Sequence, residues 1–164
     1  MQVGALIKRL SFKEFINLFW ILIKKPLYIL PTIQATRQTI DICNELYHKE
    51  HHLTGKPNAF RHALWNILIC KKIFKVSKNV ITSVAWAKTI TDLHEELAPN
   101  DLLDKTMDLH NNEYGRQLFL EHSQQDKAEL INGLQQQLKV AKKVSGLKEF
   151  KAAKGFMVYL NLEN

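Results

Sequence analysis

Three short polar clusters carry the residue types of an active site. They occupy residues 58–66, 92–96 and 107–116, and each lies in sequence with helical spacing. A helix that only packs on a core keeps its polar residues towards solvent. In these clusters Arg, His, Asn and Asp interrupt or adjoin apolar stretches, which indicates that they point inward. Because buried polar groups need hydrogen-bond partners, we expect the three clusters to meet.

Helical geometry decides which side chains of the clusters share a face. His62 and Asn66 lie one turn apart, and so do Asp108 and Asn112. His94 and its neighbour Glu95 diverge by about 100° on a helix, so only one of them points squarely at a common centre. The predicted centre therefore contains His62, Asn66, Asp108 and Asn112, together with either His94 or Glu95.

A histidine beside a carboxylate is a general acid–base pair, because the carboxylate orients the imidazole and stabilises its charged form. We therefore predict a small hydrolase-like enzyme of unknown substrate. Its catalytic residues would be His62, as general base or ligand, with Glu95 and Asp108 as carboxylate partners. Arginine suits an anion such as phosphate. The side chains predicted to bind the substrate are Arg61, Asn66, Asn111, Asn112 and Arg116.

A metal site is the alternative chemistry for the same residues. His and carboxylate ligands on facing helices bind metals in helical bundles, and the ligands here would be His62, His94 and Asp108. The HExxH and ExxH spacings are absent, however, because the sequence after His94 reads Glu-Glu-Leu-Ala. No cofactor is therefore predicted, and a divalent metal remains the alternative.

The three clusters resemble the signature blocks of a bacterial domain family of unknown function. Its members carry an Ala-Phe-Arg-His-Ala-x-Trp-Asn helix, a His-Glu block and an Asp-Leu-His-Asn-Asn-x-x-Gly-Arg helix, and the resemblance covers roughly residues 54–120. Some members lie at the C-terminal ends of large secreted, toxin-like proteins, so the resemblance implies an enzymatic module. The matching positions are Arg61, His62, Trp65, Asn66, His94, Glu95, Asp108, Asn111, Asn112, Gly115 and Arg116.

Two non-enzymatic interpretations compete with the hydrolase. In a binding or interaction module, the polar cluster would be purely structural, with Arg61 and Arg116 pairing with Asp108 and Glu113. The third interpretation is a basic protein that binds a membrane surface or nucleic acid. The net charge of +7 supports it, because basic residues concentrate in residues 1–30 and 139–154. Such a distribution suits an anionic partner, namely a phosphate-containing substrate, a membrane surface or nucleic acid.

The rest of the sequence predicts an all-α single domain over residues 1–164, with about six helices and a polar pocket between the three motif helices. Asn58 is the predicted N-cap of the first motif helix, and His48, His51 and His52 are predicted to be exposed in a loop. The tail 155–160 is expected to pack on the body. The predicted helices span 12–23, 32–47, 58–74, 78–97, 101–122 and 125–144.

The first predicted helix, 12–23, has one apolar stripe formed by aromatic and aliphatic side chains. It is amphipathic, whereas a membrane-spanning helix is apolar all round and about 20 residues long. No secretory signal is recognised. We therefore expect a cytoplasmic protein, with peripheral association with a membrane as the alternative because the flanks of the stripe are basic.

Overall fold

The computed structural model describes residue 20 and residues 23–98 and 100–160. These residues form six α-helices, which confirms the all-α single-domain prediction. The predicted helix 12–23 lies outside the described residues, except for Trp20 and Ile23. The α-helices are α1 (Ile29–Tyr47), α2 (Lys56–Ser77), α3 (Val80–Leu97), α4 (Leu102–Glu121), α5 (Lys127–Lys139) and α6 (Glu149–Ala152).

Helix α2 is the central helix of the domain and packs against α1, α3, α4 and α5. Large apolar side chains such as Phe60, Leu64 and Ile67 are fully buried along it. Because neighbours surround α2, its polar residues have few directions in which to reach solvent. This is why Asn and His side chains on this helix lie inside the protein.

Side-chain caps set the boundaries of the helices around α2. Asp101 begins α4 by accepting hydrogen bonds from the backbone N–H groups of Leu103 and Asp104, at 2.8 and 2.9 Å. Asn79 caps α3 in the same way through Thr82 N–H. These caps satisfy N–H groups that have no partner inside the helix, and they fix where α3 and α4, which carry the second and third polar clusters, begin.

The prediction that Asn58 caps α2 is wrong. Gly55 occupies the N-cap position, and Pro57 stands in the first turn, where its missing N–H costs nothing. Asn58 therefore lies within the helix, and its side chain accepts a hydrogen bond from Arg61 at 3.0 Å. A proline two residues after glycine was the sequence signal for the earlier start.

The C-terminal part of the chain departs from the predicted helix 125–144. Helix α5 ends at Lys139, and β1 (Lys142–Val144) pairs in parallel with β2 (Val158–Leu160). Val144, Val158 and Leu160 join Met107 and Phe150 in a second, small apolar cluster. The predicted packing of the tail is thus observed, with a two-stranded sheet that three-residue strands cannot signal in the sequence.

Two further features concern exposure. His51, predicted to be exposed, is fully buried in the 3-10 helix Glu50–His52, where its Nε2 lies 2.9 Å from Asn44 Oδ1. His48 and His52 are exposed, as predicted.

Among the described residues, no helix combines the length and apolar character needed to cross a membrane.

Candidate functional site

The third polar cluster reaches the first because α2 and α4 touch at a glycine. A Cβ atom on Gly115 would lie 2.2 Å from the carbonyl oxygen of Ala63, far inside van der Waals contact. Only a residue without a side chain allows this approach. The crossing places the preceding turns of α4, which carry Asn112 and Asp108, directly beside His62.

His62 stands between two buried carboxylates. Its Nδ1 lies 3.4 Å from Glu95 Oε1, and its Nε2 lies 3.3 Å from Asp108 Oδ1. All three side chains are at most 5% exposed. The structure thus brings together the three residues predicted to be catalytic, one from each motif helix.

Arg61 fixes the tautomer of His62. A guanidinium nitrogen can only donate, so the 2.8 Å contact from Arg61 Nη2 makes His62 Nε2 an acceptor. The hydrogen of the neutral ring is then on Nδ1, where Glu95 Oε1 and Asn112 Oδ1 (3.3 Å) can accept it. Glu95 therefore orients the imidazole so that its lone pair faces Arg61 and Asp108.

The two carboxylates keep oxygen atoms that have no hydrogen-bond partner among the described residues. These atoms are Glu95 Oε2 and Asp108 Oδ1, and both are buried. A buried polar atom without a partner is costly and rare. Two of them beside one histidine indicate a place for a proton, a water molecule or an ion.

The carboxylates also differ in their pKa values. Burial raises the pKa of Asp108 to about 6; Glu95 adds to the rise, and His62 and Arg61 offset part of it. Burial pushes the pKa of Glu95 in the same direction, but the hydrogen bond and charge of His62 outweigh it and leave this pKa below its ordinary value. Glu95 is therefore the ionised partner, and Asp108 is the one that holds a proton more readily.

The remaining polar residues form a closed hydrogen-bond network behind the centre. Asn66 donates to Asn112 Oδ1 at 2.7 Å, and Asn112 donates to Glu95 Oε1 at 3.0 Å. Arg116 donates to Asn66 Oδ1 and to Thr91 Oγ1, while its other nitrogens bind Glu113. This network holds the helices in register and leaves little donor capacity for a substrate.

Arg61 differs from Arg116 in having no carboxylate within 4.0 Å among the described residues. It donates instead to neutral acceptors: the His51 carbonyl at 2.7 Å, Asn58 Oδ1, and His62 Nε2. Burial lowers its pKa, and the charge of Asp108 opposes this effect. The predicted ion pair with Asp108 is therefore replaced by longer-range attraction.

A cavity of about 130 Å³ adjoins the centre on the side of Arg61 and His62. Its other walls come from α1 and from His52, Trp65 and His94. The ring of His94 packs edge-on against Trp65, with 5.1 Å between centroids, and burial lowers the pKa of this histidine. Of the adjacent pair, Glu95 thus points at the centre and His94 at the cavity.

The centre also has the donor atoms of a metal site. One atom each from His62, Glu95 and Asp108 lie within 4.8 Å of one another, whereas His94 is outside this group. A nitrogen with two carboxylate oxygens suits Zn²⁺ or Mn²⁺. An ion bound at His62 Nε2 would take the lone pair that accepts the hydrogen bond from Arg61. An ion bound at Nδ1 would move the ring hydrogen to Nε2, and Arg61 could then no longer donate to it.

Comparison with known families gives one match. The model of the family described as a domain of unknown function, DUF6973, matches residues 19–142. The chain belongs to this family. Comparisons with curated proteins and with solved structures give no match.

The DUF6973 match includes all three polar clusters, so His62, Glu95 and Asp108 lie inside the family domain. One predicted site residue lies elsewhere in the structure. The Asn111 amide binds both the N–H and the carbonyl of Val158, at 2.9 and 2.8 Å, and so holds strand β2. Helical phase carried the signal, because Asn111 is only one position from Asn112 and therefore faces about 100° away.

Sequence reasoning missed two polar partners of the centre. Thr91 donates to Asn66 Oδ1, and Asn100 donates to Asp108 Oδ2, each at 3.2 Å. Thr91 lies one turn before Glu95 on α3, so its helical phase was the available signal. Asn100 lies between helices, and nothing in its local pattern distinguishes it from an ordinary loop residue.

Proposed function

We propose that this DUF6973 domain is a hydrolase in which His62 activates a water molecule for attack on an ester-type bond. The observation that carries the proposal is the position of His62 between Glu95 and Asp108, with a cavity that His62 itself lines. Neutral His62 has its lone pair on Nε2, where it accepts a hydrogen bond from Arg61. In this reaction the Arg61 N–H releases the lone pair when His62 takes a proton from the water.

Each neighbour has a distinct part in this reaction. Glu95 accepts the Nδ1 hydrogen and stabilises the imidazolium that forms when His62 takes a proton. Asp108, whose pKa is raised to about 6, supplies a proton to the leaving group at slightly acidic to neutral pH. Arg61 stabilises the negative charge that develops on the substrate. The unpartnered carboxylate oxygens are the atoms that would bind the water.

The alternative, a non-catalytic module, draws support from the closed network of Asn66, Asn112, Thr91 and Arg116. A purely structural cluster needs every polar atom satisfied. The network behind the centre meets this condition, whereas Glu95 and Asp108 do not. The two unpartnered oxygens therefore favour the hydrolase over the structural module.

A panel of chromogenic esters tests the proposal. Purified protein is assayed on p-nitrophenyl acetate, p-nitrophenyl phosphate and bis(p-nitrophenyl) phosphate, beside the variants His62→Gln and His48→Gln. General-base catalysis contributes about 10²–10⁴-fold, so His62→Gln should lose at least about 100-fold. His48→Gln changes the same residue type at an exposed position and should keep the wild-type rate.

Two controls accompany the panel. Circular dichroism of His62→Gln checks that the buried substitution leaves the helices intact. Assays with and without EDTA separate water activation by His62 from activation by a bound ion: the proposal predicts equal rates, because His62 acts as the general base without an ion. Absence of turnover on all three esters, or equal turnover by folded His62→Gln, would contradict the proposed function.

A further inference from the structure

The cavity beside His62 presents nitrogen donors from three separate elements. Arg61 comes from α2, His94 from α3 and His52 from the 3-10 helix Glu50–His52, and all three line the same cavity of about 130 Å³. The lining residues within the described part of the chain include no carboxylate. Glu95 and Asp108 contact His62 but are not among these lining residues, so the charged side chain that lines the cavity is Arg61.

Arg61 retains donors for a ligand. Of the five N–H groups of a guanidinium, its contacts with described residues use three, one from Nη1 and two from Nη2. Its side chain is largely buried and has neutral acceptors as its direct partners. A buried charge is costly without a counter-charge, and an anion in the cavity would supply a direct one.

The other walls narrow the class of ligand. Both threonines on the α1 wall, Thr36 and Thr39, already donate their hydroxyl hydrogens to carbonyls of their own helix. Donation to a ligand therefore falls to Arg61 and the imidazoles. Ile40 and the Trp65 ring supply an apolar wall, which would accommodate an uncharged ester substituent.

We propose that this cavity binds the phosphoryl group of the substrate, so that the hydrolase acts on a phosphate ester. Donors on three elements suit a tetrahedral oxyanion, whereas a planar carboxylate needs only the single fork of an arginine. The cavity holds about four water molecules at ~30 Å³ each, enough for a phosphoryl group. The rest of the substrate would extend past the exposed His52.

This inference rests on the proposed function for its catalytic meaning, but binding can be measured without turnover. Inorganic phosphate is titrated into the protein, and binding is followed by calorimetry and by the rise in melting temperature that a ligand of the folded state causes. Arg61→Met should abolish the response. Arg37→Met, which removes the same charge from an exposed position on α1, should retain it.

Arg61 also supports the His51 carbonyl, so Arg61→Lys is included as a second variant that keeps the charge. Phosphate binding that survives in Arg37→Met, weakens in Arg61→Lys and disappears in Arg61→Met supports the proposal. Equal phosphate binding by wild type and folded Arg61→Met or Arg61→Lys overturns it, as does absence of binding by wild type. Failure of the ester panel with intact phosphate binding would instead refute only the hydrolase.

Turnover gives a second, independent readout where the panel shows activity. Arg61→Met should raise KM for p-nitrophenyl phosphate by at least about tenfold, the equivalent of one charged hydrogen bond, and raise KM for neutral p-nitrophenyl acetate by much less. Equal effects on both esters would overturn the phosphoryl assignment.

The source of the phosphoryl group is resolved by competition. Inhibition by inorganic phosphate alone assigns a soluble phosphate ester. Stronger inhibition by phosphatidic acid vesicles at equal phosphate concentration assigns a lipid headgroup. Inhibition by neither ligand contradicts a phosphoryl site.

Discussion

Replacing Gly115 with alanine should separate the helices that build the site. The new Cβ would lie 2.2 Å from Ala63 O and 2.8 Å from two further backbone atoms of Ala63, against an ordinary contact of 3.4–4 Å. Since these atoms are backbone, no change of rotamer relieves the overlap, and α4 must move away from α2 by about 1 Å. Overpacking of this kind costs about 1–3 kcal/mol.

Gly133→Ala is the matched control. Gly133 lies inside α5, is exposed, and has no atom within 4 Å of a built Cβ. Alanine is favoured over glycine in a helix by about 0.5–1 kcal/mol, so this variant should be more stable than wild type. Gly115→Ala receives the same helical gain, so the overlap should leave a net loss of up to about 2 kcal/mol.

Urea denaturation, monitored by circular dichroism, measures the free energy of unfolding of both variants. A loss of about 2 kcal/mol corresponds to a melting temperature lower by about 4–8 °C for a chain of this size. The shift of α4 should also weaken the contacts of His62 with Asp108 and Asn112. Folded Gly115→Ala should therefore have a lower kcat/KM than wild type in the ester assays. Equal stability of the two variants would refute the close approach at Gly115.

Two further predictions concern Asn111 and Asp108. Asn111→Ala strands the N–H and carbonyl of Val158, which should cost about 1–3 kcal/mol and speed hydrogen exchange at the Val158 amide; an unchanged exchange rate would contradict the role of Asn111 in holding β2. Burial raises the pKa of Asp108 from 3.8 to about 6, so the folded state binds its proton more tightly than the unfolded state. The resulting stability is present below about pH 4 and is lost as the pH rises through about 6. Urea unfolding from pH 4 to pH 7 should show a smaller loss of stability in Asp108→Asn than in wild type, and parallel curves would count against the raised pKa.

The sequence was sufficient to predict the meeting of the motif helices because helical phase is a local property. His62, Asp108 and Asn112 interrupt apolar sequence on one face each, and buried polar groups must find partners. The same rule left His94 and Glu95 undecided, since a rotation of the helix by a fraction of a turn exchanges them. Packing of α3 against α2 and α4 made that choice.

Other features depended on contacts between distant residues and had no local signal. Strand β1 pairs with β2 across sixteen positions of the chain, and Lys142–Val144 alone continues a helical pattern. His51 is buried because Arg61 and Asn44 bind it from two helices, although its neighbours in sequence are those of a loop. The closeness of α2 and α4 likewise depends on Gly115 meeting Ala63, which neither cluster shows by itself.

The most direct test of the central claim is whether His62 and Glu95 act as one catalytic unit. kcat/KM is measured for His62→Gln, Glu95→Gln and the double variant on the ester that the wild type turns over fastest. Because Glu95 acts through His62, its loss should add little once His62 is gone, and the double variant should be no worse than His62→Gln alone. Losses that multiply in the double variant, or a His62→Gln variant that keeps the wild-type kcat/KM, would contradict the account.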